Sequence, residues 1–321
     1  MVKKSLALLL ATAVTAAAWG GGFPEKPVEA IVPWAAGGGA DILFRALSSV
    51  FPKHANGHPL LIKNIAGAAG VPGVIEFMKA APDGYTIVHW NGAQTIKTHM
   101  SRTPFTATQF APVCGLVNDY YYLMVRTDSQ FRTMNDLVAY AKANPEEINY
   151  GNAGAGGGVH FAQIMFENAA GFTTTQVPFQ GGGPMITGLL NGQVDVAASF
   201  LPEGAANVLN GQLRVLAVFA PERQKTFPDA PTAREQGLDL VLSQWRGIYA
   251  PAGTPPARIK ELEAIFKNIC EDPEYVAQCE KLGTHIQFSS SEEYAKIMEK
   301  EDKDYRKIIS TQKLGDIYSI K

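Results

Sequence analysis

The fold prediction starts from residues 28–41, which read VEAIVPWAAGGGAD. Residues 28–34 are apolar and largely β-branched, which predicts a strand, and the glycines that follow predict a loop. Residues 41–51 then carry apolar side chains at helical spacing. A strand, a glycine-rich loop and a helix in this order are typical of an open α/β sheet.

The same alternation continues along the chain. Residues 60–65 and 85–90 predict strands, with a helix at residues 74–80 between them. A second series follows Arg126, with strands at residues 148–152, 174–179, 194–200 and 213–219 and helices at residues 160–170 and 184–190. Extended chain at residues 247–250 and a charged amphipathic helix at residues 291–309 complete the pattern. Periodicity predicts two α/β units and leaves open whether they are independent domains or two lobes joined by crossing strands.

Composition excludes several classes of protein. The chain has 321 residues, of which 46% are hydrophobic and 18% charged, so there is ample material for a core. The formal net charge of −2 provides no electrostatic footprint for nucleic acid or an anionic membrane surface. We therefore expect neither as a partner.

The N-terminus predicts export. Lys3 and Lys4 precede an apolar run from Leu6 to Ala18, with small residues at Ala16 and Ala18. This pattern predicts a signal peptide over residues 1–18 and a periplasmic protein. The run is shorter than the approximately 20 residues that a membrane span needs. The alternative is an N-terminal helix that anchors the chain in the membrane.

The cysteines and histidines provide no metal site or cofactor motif. The chain has three cysteines and six histidines, with no C-x-x-C and no short histidine spacing of the metal-binding kind. We expect no metal and no cofactor. Cys114 lies in an apolar stretch and is predicted to be in the core. Cys270 and Cys279 are either one disulfide or two unpaired thiols, and the spacing leaves both open.

Four glycine-rich loops fall between a strand and a helix, at residues 35–41, 66–70, 152–158 and 180–183. Such loops lie at the carboxyl ends of strands, where the N–H groups of a helix N-terminus attract an anion. None carries the P-loop pattern, and the G-x-G-x-x-G pattern fails because Val159 stands at its third glycine. The loops also lack Lys and Arg, which favours a carboxylate over a polyphosphate.

No H-E-x-x-H or G-x-S-x-G motif occurs, so we expect a binding protein and no enzyme. Two alternatives remain open on sequence grounds. One is an exported carboxylate-processing enzyme on a binding-protein-like fold. The other is a ligand-loaded sensor partner of a signalling protein.

Several stretches resemble one family in a single register along the mature chain. They are residues 32–41, 81–86, 148–154 followed by His160, 177–181, 190–195 and 250–255. Together they resemble the substrate-binding receptors of tripartite tricarboxylate transporters, the Bug receptor family.

The resemblance implies an α/β, two-lobed periplasmic binding protein of the Venus flytrap type. Two parallel-rich sheets flanked by helices would enclose a ligand cleft, with residues 23–123 and 246–321 in lobe 1 and residues 124–245 in lobe 2. It implies a monomer that captures a di- or tricarboxylate or an aromatic acid through backbone N–H groups. The receptor would deliver this small organic acid to membrane permease subunits of a tripartite tricarboxylate-type transporter.

The resemblance, together with the places where strands end and loops begin, gives the expected ligand-binding positions. They are Trp34, Ala36, Gly37, Gly38, Gly39, Asn91, Gln94, Thr95, Asn152, Gly154, Gly156, Gly157, Gly158, His160, Phe179, Gly181, Phe200 and Arg246.

Three of these positions allow more than one interpretation. Arg246 departs from the family pattern and is either a cation for a second carboxylate or a surface residue at the hinge. Trp34 either stacks on the ligand or belongs to the core. His160 is expected to orient its loop and not to act as a base.

Overall fold

The computed structural model describes residues 22–311 and 314, so the predicted signal peptide lies outside the described residues. Within them, strands and helices alternate along most of the chain, which confirms the predicted α/β fold. No helix in this part of the chain is both long and apolar enough to span a bilayer.

The strands are β1 (Val28–Val32), β2 (Leu60–Asn64), β3 (Thr86–Asn91), β4 (Ala111–Arg126), β5 (Asn149–Asn152), β6 (Thr175–Pro178), β7 (Val196–Phe200), β8 (Leu213–Val218), β9 (Ser243–Ala250) and β10 (Ile286–Ser289). The helices are α1 (Gly39–His54), α2 (Val71–Phe77), α3 (Gly92–Met100), α4 (Met134–Ala143), α5 (Gly158–Ala170), α6 (Gly182–Leu190), α7 (Leu201–Leu209), α8 (Pro256–Glu271), α9 (Pro273–Leu282) and α10 (Ser291–Thr311).

Two groups of strands share the long strand β4. The first group runs in the order β2-β1-β3-β9-β4-β10, and the second in the order β6-β5-β7-β4-β8. Strands that are joined by crossover helices pair in parallel, as β1 does with β2 and β3 and β5 does with β6 and β7. The pairs that involve β4 or β9 are antiparallel. We call the first group with its helices the first lobe and the second group with its helices the second lobe.

Strand β4 changes partners part-way along its length. Its residues from Ala111 to Tyr120 pair with β9, and its residues from Tyr121 to Val125 pair with β7. One continuous strand therefore crosses from the first lobe into the second, and β9 brings the chain back beside it. This arrangement places the carboxyl ends of β1, β3, β5 and β7 on the two sides of one cleft.

Each lobe has its own hydrophobic core. On β1, Ala30 and Val32 pack with α1, α8 and α9, whereas Ile31 packs on the opposite face with Trp90. This split follows from the two-residue period of a strand, because successive side chains point to opposite faces. The second lobe has one core around Leu123, Phe166 and Phe219.

The cysteines contribute to the packing of the first lobe. Cys114 is fully buried in its core, as predicted. Cys270 at the end of α8 and Cys279 in α9 are also buried, and all three are free thiols. Burial raises the pKa of Cys270 and of Cys279 to about 12, so both are protonated at neutral pH.

Candidate functional site

A narrow cavity of about 30 Å³ lies between the two lobes. Its wall is formed by the loops after β1 and β5, the last residues of β3 and β7, the first turns of the helices α1, α3, α5, α6 and α7, and two residues of β9. The residues that line it are Trp34, Gly38, Gly39, Ala40, Asn91, Ala93, Ala153, Gly157, Gly158, Val159, Gly182, Phe200, Glu203, Gln244 and Arg246.

The first wall is the N-terminus of α1. Gly37 adopts a φ of +78°, which favours glycine, and its N–H donates a 2.9 Å hydrogen bond to Oδ2 of Asp41. Burial alone would raise the pKa of Asp41, but hydrogen bonds from Arg45 and from Gly37 outweigh it and lower the pKa. Asp41 is thus an ionised residue that holds the loop closed from within the first turn of α1.

The second wall is the loop before α5. Gly156 has a φ of +73°, and its N–H donates a 2.9 Å hydrogen bond to Nδ1 of His160. Burial lowers the pKa of His160 to about 4, so the ring is neutral and Nδ1 can accept this hydrogen bond. His160 therefore orients its loop, with its side chain buried behind the cavity wall.

Arg246 is the cation of the site. It lies on β9 and is 1% exposed, so the alternative of a surface hinge residue is wrong. Its Nε lies 3.5 Å from Oδ2 of Asp119, and its guanidinium carbon lies 3.9 Å from the ring centre of Phe200. Among the described residues, no acceptor forms a hydrogen bond with Nε, Nη1 or Nη2 of Arg246.

Two further buried donors on the cavity wall have no hydrogen-bond partner in the described part of the chain. They are Nε1 of Trp34 and Nε2 of Gln244. An indole N–H and a guanidinium can donate but cannot accept. Buried polar groups are rarely left unpaired in folded proteins, so this set of donors suits a ligand that supplies hydrogen-bond acceptors.

A carboxylate from the protein itself also reaches the cavity. Glu203, in the first turn of α7, accepts a 2.8 Å hydrogen bond from the backbone N–H of Gly39 and another from the hydroxyl of Ser199. Burial raises the pKa of Glu203, and the nearby Arg246 partly offsets this by lowering it. Glu203 therefore connects the second lobe to the first turn of α1.

The structure brings eight of the predicted positions together on the cavity wall: Trp34, Gly38, Gly39, Asn91, Gly157, Gly158, Phe200 and Arg246. The other ten lie away from it: Ala36, Gly37, Gln94, Thr95, Asn152, Gly154, Gly156, His160, Phe179 and Gly181.

Several of the positions away from the wall have identifiable structural roles. The side chain of Gln94 turns back to accept from the N–H of Asn91 in a capping box at the start of α3. Thr95 accepts a 3.2 Å hydrogen bond from the indole of Trp90. Asn152 accepts from the N–H of Gly154 and so shapes the loop before α5.

Sequence reasoning missed seven lining residues: Ala40, Ala93, Ala153, Val159, Gly182, Glu203 and Gln244. Five of them adjoin predicted positions and follow once the helix starts are known. A sequence signal was present for Glu203, because Pro202 after a buried strand is typical of the first turn of a helix. Gln244 has no comparable signal, since its place depends on how β9 passes the cleft.

Comparison with known proteins gives consistent matches. The model of the family described as "Tripartite tricarboxylate transporter family receptor" matches residues 43–314. A UPF0065 protein of Cupriavidus necator is 30% identical over 300 residues, which cover 91% of this chain and 89% of that protein. BugT of Bordetella pertussis is 28% identical over 239 residues, 73% of each chain.

Two solved structures show the same architecture. The periplasmic binding protein BugD superposes with a TM-score of 0.85 at 25% identity, covering 93% of this chain and 100% of BugD. MatC of Rhodopseudomonas palustris, solved with bound malate, superposes with a TM-score of 0.84 at 25% identity, covering 89% and 100%. Both likenesses extend over nearly the whole of the chain and include both lobes.

Proposed function

Because the chain belongs to the tripartite tricarboxylate transporter receptor family, we propose that it captures a small organic carboxylate in the interlobe cavity. The family consists of solute-binding receptors, so the chain is a receptor and not an enzyme. The ligand proposal agrees with the malate that is bound to the related MatC.

One observation carries the proposal. The guanidinium of Arg246 is buried with three nitrogen atoms that have no hydrogen-bond partner among the described residues, and Trp34 adds a donor that is also unpaired. A hydrogen bond to a charged group is worth about 1.5–3 kcal/mol, and a buried donor left unpaired costs about 1–3 kcal/mol. A carboxylate supplies two acceptor oxygens in the geometry that a guanidinium prefers. An organic acid therefore satisfies the buried donors better than a neutral or cationic ligand.

The helix N-termini add to this attraction. The first N–H groups of α5, at Gly158 and Val159, have no acceptor within their own helix, and both residues line the cavity. Each helix N-terminus also carries a partial positive charge. Backbone N–H groups of α5 and the guanidinium of Arg246 would thus hold one carboxylate from two sides.

Binding is coupled to closure of the lobes in this proposal. In this proposal the chain crosses from the first lobe to the second on β4, which changes its partner from β9 to β7 after Tyr120, and it returns on β9. The loop before α1 and the first turn of α6 approach closely, since a Cβ on Gly183 would lie 3.1 Å from the carbonyl oxygen of Gly37. A ligand that contacts both lobes favours the closed form.

The cellular role follows from the family. We propose that the protein is exported to the periplasm, acts there as a monomer and delivers its ligand to the membrane permease subunits of a tripartite tricarboxylate-type transporter. A sensor role would use the same cavity with a different partner. Capture of permease subunits or of a signalling protein by the loaded receptor distinguishes the two roles.

Thermal unfolding tests the ligand proposal. The purified protein is heated with mono-, di- and tricarboxylates and aromatic acids, alongside Arg246→Lys and the exposed control Arg132→Lys. A ligand present at about a hundredfold over its Kd adds roughly 2.7 kcal/mol, which moves the midpoint by several degrees. We expect at least one acid to stabilise wild type and Arg132→Lys but not Arg246→Lys. Stabilisation by no acid would contradict the proposal.

A further inference from the structure

We infer that the carboxylate of Glu203 occupies one of the two anion positions of the cavity and restricts this receptor to acids with a single carboxylate. The inference rests on the proposed function and names the class of ligand more narrowly.

The first observation is where the Glu203 carboxylate lies. Oε1 of Glu203 accepts a 2.8 Å hydrogen bond from the N–H of Gly39, the first residue of the 16-residue helix α1. This N–H is one of the groups that a ligand carboxylate would use at a helix N-terminus. The protein has therefore already placed a carboxyl oxygen of its own there.

The second observation is that the backbone around Glu203 leaves room for its carboxylate. A Cβ on Gly39 would lie 3.1 Å from Oε1 of Glu203, and a Cβ on Gly182 would lie 2.0 Å from the same atom. Real Cβ atoms do not approach an oxygen as closely as 2.0 Å, so a side chain at position 182 would displace Glu203. A Cβ on Gly39 would be tight against Glu203 and would lie 2.8 Å from Nη1 of Arg246. Two glycine loops, one from each lobe, form the seat of this side chain.

The third observation is that Arg246 remains available. Its guanidinium is buried, yet in the described part of the chain none of its nitrogen atoms has a hydrogen-bond partner. The Gly158 and Val159 side of the cavity is also free of acidic side chains among the lining residues. Glu203 thus fills one anion position, and the donors of Arg246 mark the other, which a ligand carboxylate would occupy.

The charges around Arg246 also favour a ligand with a single carboxylate. Arg246 already has Asp119 and Glu203 as acidic neighbours; burial raises the pKa of both carboxyl groups, and the positive charge of Arg246 partly offsets this. One ligand carboxylate adds a third negative charge, which the helix N-termini and Arg246 can share. A second carboxylate would meet Glu203 at the start of α1, where like charges repel. The end of the ligand that faces Glu203 is therefore uncharged.

Paired ligands that differ by one charge test this inference. Succinate, glutarate and adipate are compared by calorimetry with their monoamides, which have nearly the same shape and one carboxylate. Wild type is compared with Glu203→Gln, which keeps the acceptor for Gly39, and with Glu203→Ala, which empties the position. Glu271→Gln, an exposed change on α8, is the matched control.

We expect wild type and Glu271→Gln to bind a monoamide about tenfold or more tighter than the matching diacid. Glu203→Gln should narrow this preference, and Glu203→Ala should bind the diacid more tightly than wild type does. Equal or tighter binding of the diacids by wild type would overturn the inference, as would a preference that both variants retain in full. Binding of none of these ligands or of any other acid would instead overturn the proposed function on which the inference rests.

Discussion

The guanidinium carbon of Arg246 lies over the ring of Phe200, 3.9 Å from the centre of the ring. Arg246 belongs to β9, whereas Phe200 is the last residue of β7. The cation is attracted to the face of the π-system, so the ring packs against one face of the guanidinium. This contact uses none of the N–H groups of Arg246. Phe200 therefore positions Arg246 while leaving its hydrogen bonds for a ligand.

The first prediction concerns this contact. Phe200→Leu removes the ring and keeps an apolar side chain, so the guanidinium loses its support. A buried cation–π contact is worth about 2 kcal/mol, and we expect carboxylate affinity to fall by about 5- to 30-fold. Calorimetry measures the change. Phe172→Leu, in the core of the second lobe, is the control, and an equal loss of affinity there would show that the effect is general destabilisation.

The second prediction distinguishes an effect on closure of the two lobes from an effect on the stability of the fold. A Cβ on Gly183 would lie 3.1 Å from the backbone of Gly37 across the contact between the lobes. Gly183→Ala should weaken ligand affinity roughly fivefold or more because the lobes cannot close fully. Its unfolding midpoint in the absence of ligand should change little, since alanine favours a helix. Thr187→Ala in the same helix is the control, and unchanged affinity in Gly183→Ala would contradict this account of closure.

The third prediction is a pH dependence at acid pH. His160 has a pKa of about 4 in the folded protein, below its ordinary value of 6.5. Between these values the unfolded chain binds a proton that the folded chain does not, so His160 lowers stability as pH falls from 6.5 to 4. We expect His160→Gln to reduce this loss by about 1–3 kcal/mol in urea unfolding. His160→Gln should still lose some stability as pH falls, because burial also lowers the pKa of His89.

The control for this measurement is His58→Gln, since the side chain of His58 is only half-buried. A slope in His160→Gln that equals that of wild type would refute a neutral, buried His160.

The fourth prediction concerns Glu301 in α10, which should lower the stability of the protein as pH rises. Burial raises the pKa of Glu301 to about 8, and its Oε2 has no hydrogen-bond partner in the described residues. The unfolded chain releases this proton near pH 4.5, so the stability that Glu301 contributes below that pH is lost as pH rises to 8. Glu301→Gln should be more stable than wild type at pH 8 by about 1–3 kcal/mol, with little difference at pH 5.

Urea unfolding at the two pH values measures this difference, with the exposed Glu292→Gln as the control. A variant that is no more stable than wild type at pH 8 would show that Glu301 is ionised in the folded protein.

Local pattern was sufficient to predict much of the fold. The strand at residues 28–34, its glycine loop and the helix after it appear as β1 and α1, because each is encoded by neighbouring residues. Other elements did not follow from periodicity. Strand β4 is buried on both faces along much of its length, so residues 110–117 show an apolar run without alternation. Helices α3 and α7 begin directly where a strand ends, without an intervening loop to mark them.

The cavity wall could be predicted from the sequence only where it consists of the backbone of glycine-rich loops. Gly38, Gly39, Gly157 and Gly158 were expected from the glycine pattern and lie on the cavity wall. Gln94 was expected there too, but its side chain is used in capping α3, which a strand-based interpretation cannot anticipate. The contact between Glu203 and Gly39 joins residues 164 positions apart, so it depends on how the two lobes meet.

A crystal structure of the protein with a bound monocarboxylate, such as succinamate, tests the central claim most directly. The account predicts a carboxylate in the interlobe cavity, with oxygen atoms within hydrogen-bond distance of the guanidinium of Arg246 and of the first N–H groups of α5. It also predicts that Glu203 stays on the N–H of Gly39. A ligand bound outside the cavity, or one whose carboxylate points away from Arg246, would contradict it.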